Sequence, residues 1–156
     1  MQVHLLRHAK TMQHSPTGKD FDRELLPRGY EQIEALKEFF KKYPIAPRHI
    51  LCSSAVRTKQ TFAQLQTLWP QAQILFKDEL YLANRQEILS AICALSSHED
   101  ILLIGHNEGL SELAIYFTDE ALWLKTCGFV SLDFPFENTT YCSENTAKVN
   151  KRFRTQ

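Results

Sequence analysis

The chain has 156 residues, 44% of them hydrophobic and 23% charged, with lysine plus arginine balancing aspartate plus glutamate at 18 each. This size suits one domain, residues 1–156, with a full hydrophobic core. The even charge gives no global field that favours nucleic acid or a membrane surface, so neither is an expected partner. The apolar part of the opening "MQVHLLRHAK" is too short for a signal peptide or a membrane-spanning helix.

Short apolar strand candidates alternate with longer helical patterns, the signature of an α/β domain. The first strand candidate is Val3–Arg7, running directly into His8. The first helix is predicted to start at Pro27, a residue suited to the first helical position, with Tyr30, Ile33, Leu36 and Phe40 as its apolar stripe. A second strand over His49–Cys52 turns through "SSAVR" into a second helix, for which Ser53 or Ser54 is the expected N-cap. The third strand is expected over Gln73–Phe76. After it, Asn84 and Glu87 have capping-box spacing at the start of a third helix that buries Ile88, Leu89, Ile92 and Leu95. "ILLIG" at 101–105 is a continuous apolar run, as expected of a strand buried on both faces. A fourth helix begins near Leu110, and Phe129–Phe134 forms the next strand. Residues 136–146 are polar and read as a long hairpin or loop, and "AKVNKRF" after them reads as an edge strand rich in lysine.

The four cysteines, Cys52, Cys93, Cys127 and Cys142, form no C-x-x-C pair, which argues against a zinc ribbon or a redox motif. Cys52 and Cys93 lie in apolar stretches and read as small buried hydrophobes, in keeping with a reducing, cytoplasmic setting.

Three strand ends carry the chemistry. In doubly wound α/β sheets, ligands bind outside the carboxyl ends of the strands. Arg7 and His8 end the first strand, Arg57 stands in the first turn of the helix after the second, and His106 with Asn107 follows "ILLIG" directly. Each alone has an ordinary explanation as a solvated or packing residue. Together they describe an anion site, with a helix N-terminus and arginine forks as donors. A metal site built on His4, His8 and His106 is disfavoured, because Arg7 and Arg57 would repel a dication and the same motifs supply no acidic ligand.

At this point the sequence resembles a known family, the histidine phosphatase superfamily. The resemblance is to its phosphoglycerate-mutase-like branch and, within that, to the small SixA-type phosphohistidine phosphatases. It runs from residue 3 to about residue 134. "VHLLRHAKT" matches the family's Arg-His strand motif, and "DFDRELLPRGYEQ" resembles its Asp-x-x-Arg-x-Leu-x-x-x-Gly stretch. "ILCSSAVRTKQT" matches its Ser-Ser-Pro-x-x-Arg-x-x-x-Thr element, with Ala55 in place of the usual proline. "DELYLA", "LLIGHNEGLSELA" and "TCGFVSLDF" resemble its later motifs.

The resemblance implies a three-layer α/β/α sandwich with a mostly parallel central sheet. It also implies a phosphatase whose His8 attacks phosphorus and is phosphorylated, water then releasing phosphate. Arg7, Arg57 and His106 would complete the catalytic set and bind the phosphoryl oxygens. Neither metal nor cofactor is required, because cationic side chains take the electrostatic role. As a nucleophile His8 must be neutral, a state that cationic neighbours favour. The four residues are expected to converge on one pocket, with the two histidine rings facing each other across a phosphate-sized gap.

Asp78 and Glu79 are the candidate proton donors for an alkoxide leaving group, whereas an imidazole leaving group needs a dedicated acid far less. Lys10 and His14 depart from the residues common in sugar-phosphate members, and the short chain has little room for insertions over the pocket. The expected substrate is therefore phosphohistidine on a signalling or phosphotransfer protein. The alternatives are a small phosphate ester hydrolysed by a metabolite phosphomonoesterase, or a non-catalytic module that binds a phospho-ligand.

Overall fold

Strand β1 (Gln2–Arg7) lies in the middle of a six-stranded sheet in the computed structural model, which describes residues 1–155. The other strands are β2 (His49–Ser53), β3 (Gln73–Lys77), β4 (Ile101–Gly105), β5 (Phe129–Asp133) and β6 (Lys148–Phe153), in the spatial order β3-β2-β4-β1-β5-β6. The pairs β3–β2, β2–β4 and β4–β1 are parallel, and β5 and β6 add antiparallel to the β1 side. The sheet is thus mixed and mostly parallel. The lysine-rich segment is an edge strand, as its composition suggests.

Four helices cover the sheet: α1 (Pro27–Lys42), α2 (Val56–Leu65), α3 (Arg85–Leu95) and α4 (Gly109–Thr118). On one face, Ile33, Leu36 and Phe40 of α1 and Phe62 and Leu65 of α2 pack against Leu6, Ile50, Leu102 and Ile104. On the other, Ile88, Leu89 and Ile92 of α3 and Leu110, Leu113 and Phe117 of α4 pack against Leu5, Leu51 and Leu103. All five residues of β4 are buried, as a strand covered on both faces requires. This is a three-layer α/β/α sandwich. The chain leaves β1 toward one face through α1, and leaves the adjacent β4 toward the other through α4. The switch point that opens a crevice at the strand ends therefore lies between β1 and β4.

Several local expectations need correction. Tyr30 is exposed, and the buried side of α1 instead begins at Gly29. A Cβ on Gly29 would collide with the Lys10 carbonyl, so glycine there lets α1 approach the loop after β1. Neither Ser53 nor Ser54 caps α2. The N-cap is Ala55, with no side-chain cap, and the Ser53 hydroxyl accepts from the Ala55 amide. Ala55 has φ −58°, a value proline would also hold. Asn84 does cap α3, accepting from the Glu87 amide at 2.9 Å. Leu95 is only partly buried, at the end of that helix. Residues 136–146 form a loop containing the short 3-10 turn Thr139–Tyr141.

Candidate active site

Four elements deliver side chains to the crevice. β1 ends in Arg7 and runs on into His8, whose amide still extends the ladder by donating to the Gly105 carbonyl of β4. Arg57 lies in the first turn of α2, and His106 directly follows β4. A 3-10 turn, Asp20–Asp22, supplies Asp20 and precedes Arg23. With Lys10, Thr11, Leu82, Asn107 and Thr126 these residues line one open cleft of about 390 Å³. Arg7, His8, Arg57 and His106 therefore share one cleft at the C-terminal edge of the parallel strands.

The geometry around His8 selects one tautomer. Its Nδ1 lies 2.7 Å from the Ala9 carbonyl oxygen, which can only accept, so Nδ1 carries the hydrogen. Nε2 is left with the lone pair and accepts from Arg57 Nε at 3.3 Å. Burial is the largest influence lowering the His8 pKa to about 3; His106, Arg57 and Arg7 push in the same direction, against the bond to Ala9. Burial thus outweighs the cationic neighbours as the reason the ring is neutral.

His106 is likewise lowered to about 3, first by burial and then by Arg57, with Asp20 opposing. Its Nε2 lies 2.8 Å from the Ser53 hydroxyl, while Nδ1 is buried without a partner among the described residues. The ring centroids of His8 and His106 are 5.3 Å apart at 56°, so the rings nearly touch. No phosphate-sized gap separates them, and an anion would sit in the open volume in front of both.

The arginines differ in how fully they are held. Arg57 is only 2% exposed, and each of its nitrogens has a partner: Nε with His8, Nη1 with the Asp20 carbonyl at 2.8 Å and Nη2 with Asp20 Oδ2 at 3.0 Å. Arg7 Nη1 donates to the Leu124 carbonyl at 3.1 Å, but its buried Nε has no partner among the described residues. Burial and then the nearby Arg57 lower the Arg7 pKa. One unpaired buried donor, Arg7 Nε, beside a neutral histidine whose Nε2 carries a lone pair, is an arrangement that can receive an anion.

Three residues of the quoted motifs have roles that only the tertiary structure shows. Asp20 holds Arg57 and Arg23, and accepts a hydrogen bond from the Tyr81 hydroxyl. Tyr81, chiefly, and the arginines hold the Asp20 carboxyl down at about 2. Tyr81 also packs edge-on against His106, with centroids 5.6 Å apart, so it braces both halves of the cleft. Asn107, which also lines the cleft, donates to the Leu124 carbonyl at 2.8 Å and accepts from the Ser111 hydroxyl, which in turn accepts from the Leu124 amide. It fixes the loop that anchors Arg7. Asp78 and Glu79 do not line the cleft. The Glu79 carboxylate is exposed and pairs with Lys77 at 3.3 Å, in a different groove beside α3. Among the described residues, no three His, Cys, Asp or Glu side chains cluster as a metal site.

The family model of the histidine phosphatase superfamily (branch 1) matches residues 3–81, just over half of the chain. The chain belongs to the histidine phosphatase superfamily. The matched segment contains Arg7, His8 and Arg57, and the fold brings His106 to them from beyond it. A protein from Agrobacterium tumefaciens described as a candidate phosphohistidine phosphatase SixA is 26% identical. Its structure superposes with a TM-score of 0.84 over 99% of this chain and 97% of that one. A similarly described SixA from Nakamurella multipartitia gives 0.85 at 22% identity, covering 98% and 95%. The protein histidine phosphatase SixA complexed with tungstate gives 0.80 at 17%, covering 99% and 97%. An uncharacterized chloroplastic protein of Arabidopsis thaliana is 28% identical over 134 residues, 79% of this chain; the match spans 62% of that relative's length.

Proposed function

We propose that the protein is a cofactor-independent phosphatase that removes phosphate from phosphohistidine on a signalling or phosphotransfer protein, with His8 as nucleophile. Arg7, Arg57 and His106 would hold the phosphoryl oxygens. The observation that carries the choice of substrate is the state of the carboxylates. Asp20 is the one carboxylate among the described residues lining the cleft, and Tyr81 and Arg57 hold it ionised. No neutral acid stands ready for an alkoxide, whereas a protonated imidazole leaves without one.

The reaction proceeds in two displacements. Arg57 Nε gives up its bond to His8 Nε2 as a phosphoryl oxygen takes its place, and the freed lone pair attacks phosphorus. The new P–N bond forms on His8 as the substrate P–N bond breaks, and imidazole departs neutral with a hydrogen on its other nitrogen. His8 Nδ1 keeps its hydrogen on the Ala9 carbonyl throughout, and positive charge on the phosphorylated ring activates it toward water. Water then displaces His8 and inorganic phosphate leaves. The tungstate bound to a fold-mate is an anion of the same shape class as the transferred group. Four free cysteines agree with a reducing, cytoplasmic setting; in Cys52 and Cys127 burial pushes the thiols up to about 12.

A single-turnover panel tests this reading. Phosphoimidazole and a phosphohistidine peptide, offered beside aryl and alkyl phosphates, should be hydrolysed at least ~100-fold faster than the esters, the leaving-group effect of a missing acid. Equal or faster turnover of an alkyl phosphate would replace it with a metabolite phosphomonoesterase, and no turnover of any member would leave only a binding module.

A further inference from the structure

The segment 124–128 contributes to two cavities. Thr126 lines the cleft and the Leu124 carbonyl anchors Arg7. Leu124, Lys125 and Gly128 also form part of a separate groove of about 380 Å³, together with Leu122, Trp123, Arg152, Phe153 and Arg154. This groove has a one-sided character. Trp123 is 57% exposed, and Lys125, Arg152 and Arg154 are exposed around it. No carboxylate is among the described lining residues. Among the described residues, none of these three cations forms an ion pair. In a chain whose charges balance overall, three cations without an ion pair beside an exposed indole are a local field with an apolar anchor.

The groove is also mechanically joined to the cleft. Thr155, next to Arg154, donates from its hydroxyl to the Thr126 carbonyl at 2.9 Å. Gln32 donates to the Thr126 hydroxyl at 3.1 Å and accepts from the Lys10 amide at 2.9 Å. A macromolecule presenting a side chain to His8 would therefore meet Trp123 and the end of β6 just beyond the cleft wall.

We propose that this groove docks an acidic segment of the phosphohistidine-bearing protein, with an apolar residue of that segment against Trp123 and its carboxylates facing Lys125, Arg152 and Arg154. The proposal rests on the protein-phosphohistidine reading above. Charge complementarity of this kind steers encounter and sets partner choice while leaving the chemistry alone.

Two synthetic phosphohistidine peptides test it, one with a flank of Asp, Glu and Leu, the other of Ser, Gly and Leu, beside phosphoimidazole. The acidic peptide should exceed the neutral one about ten-fold in kcat/KM, chiefly through KM and less so at high salt. The double variant Arg152→Glu/Arg154→Glu, or Lys125→Glu if the double variant does not fold, should erase that advantage and leave phosphoimidazole turnover within about two-fold. Equal kcat/KM for both peptides in the parent, or an advantage that survives in the variants, overturns the proposal. A second readout needs no turnover: the unphosphorylated acidic flank should perturb the Trp123 fluorescence of the parent and not of the variants, with Trp123→Phe separating this signal from that of the largely buried Trp69. If that titration succeeds while no phosphohistidine compound is hydrolysed, the groove stands as an acidic-segment site and the phosphohistidine reading falls. An oligonucleotide that displaces the peptide at equal charge overturns the protein-docking assignment.

Discussion

Two histidines four residues apart, one inside β1 and one just past its end, have opposite fates. His4, in the strand's interior, is fully buried, stacks on Phe129 with centroids 5.8 Å apart, and has no partner for either ring nitrogen among the described residues. His8, just past the strand's end, is nearly as buried, yet both of its ring nitrogens are engaged. Burial lowers both pKa values, to about 4 and about 3. A neutral ring is therefore not in itself a nucleophile. What distinguishes His8 is the carbonyl that fixes its tautomer, the cations around it and its place on an open cleft.

The largest expected effect breaks the pair at the member proposed as the nucleophile. His8→Ala should lower single-turnover phosphohistidine hydrolysis by ~1000-fold or more, because the proposed attacking lone pair on Nε2 goes with the ring. Circular dichroism and the melting transition should stay close to the parent, since Val3, Leu5 and Leu6 still pack strand β1. Labelled phosphate trapped in alkali, where the P–N bond survives, should be found on the parent and be absent from the variant. Substantial turnover in His8→Ala would move the nucleophile elsewhere.

Arg57 is what His8 has and His4 lacks. Arg57→Ala should cost about 100-fold or more in kcat/KM by removing a transition-state donor, and Arg57→Lys should recover only part of it. An ammonium cannot reach His8 and both Asp20 acceptors at once, as the guanidinium does. Full rescue by lysine would reduce Arg57 to a point charge.

Most of the sheet and the four cleft residues were legible because a buried strand followed abruptly by Arg or His is a local signal. β4 shows it most plainly, five apolar residues and then His106. The carboxylate was harder to read. Sequence position draws attention to Asp78 and Glu79 after β3, but the 3-10 turn there directs Glu79 to Lys77, and Tyr81 of the same motif reaches the cleft instead. Asp20 lies in a turn 37 residues before Arg57, and only the tertiary approach of that turn to α2 pairs them. The cap of α2 was misplaced for a similar reason: the Ser53 hydroxyl is positioned toward His106 and Ala55 rather than toward the amides of the first helical turn. Side chains drawn into a site are unavailable for the local roles their type predicts.

A smaller effect sharpens the assignment of the acid. Glu79→Gln and Asp78→Asn should each leave phosphohistidine hydrolysis within about a factor of ten of the parent, since a departing imidazole needs no positioned acid. A collapse in either variant, measured at one pH in single turnover, would mean that a carboxylate outside the free cleft moves in during the reaction.

The smallest effect returns to His4 and concerns stability alone. Its pKa falls from 6.5 to about 4 because burial disfavours the imidazolium, with Asp133 opposing weakly. As pH drops below about 6.5 the unfolded chain takes up this proton while the native chain resists until about 4, so native stability declines across that window. At pH 5 the decline from this one group is about 1 to 2 kcal/mol, at about 1.4 kcal/mol per unit. His8 and His106 add to the same acid limb, since their pKa values are lowered in the same direction. His4→Leu keeps the volume roughly constant and removes two buried ring nitrogens that lack partners among the described residues. It should raise urea stability at pH 7 by about 1 kcal/mol and by more at pH 5, flattening the limb without abolishing it. Turnover should be unchanged, because His4 does not line the cleft. Urea titrations of parent and variant at the two pH values measure both quantities. A loss of stability at pH 7 with an unaltered acid slope would mean that His4 is satisfied, for instance by a buried water shared with the facing Ser131, whose hydroxyl is also unpartnered. The contrast between the two histidines would then rest on the cations and the open cleft rather than on hydrogen-bond satisfaction.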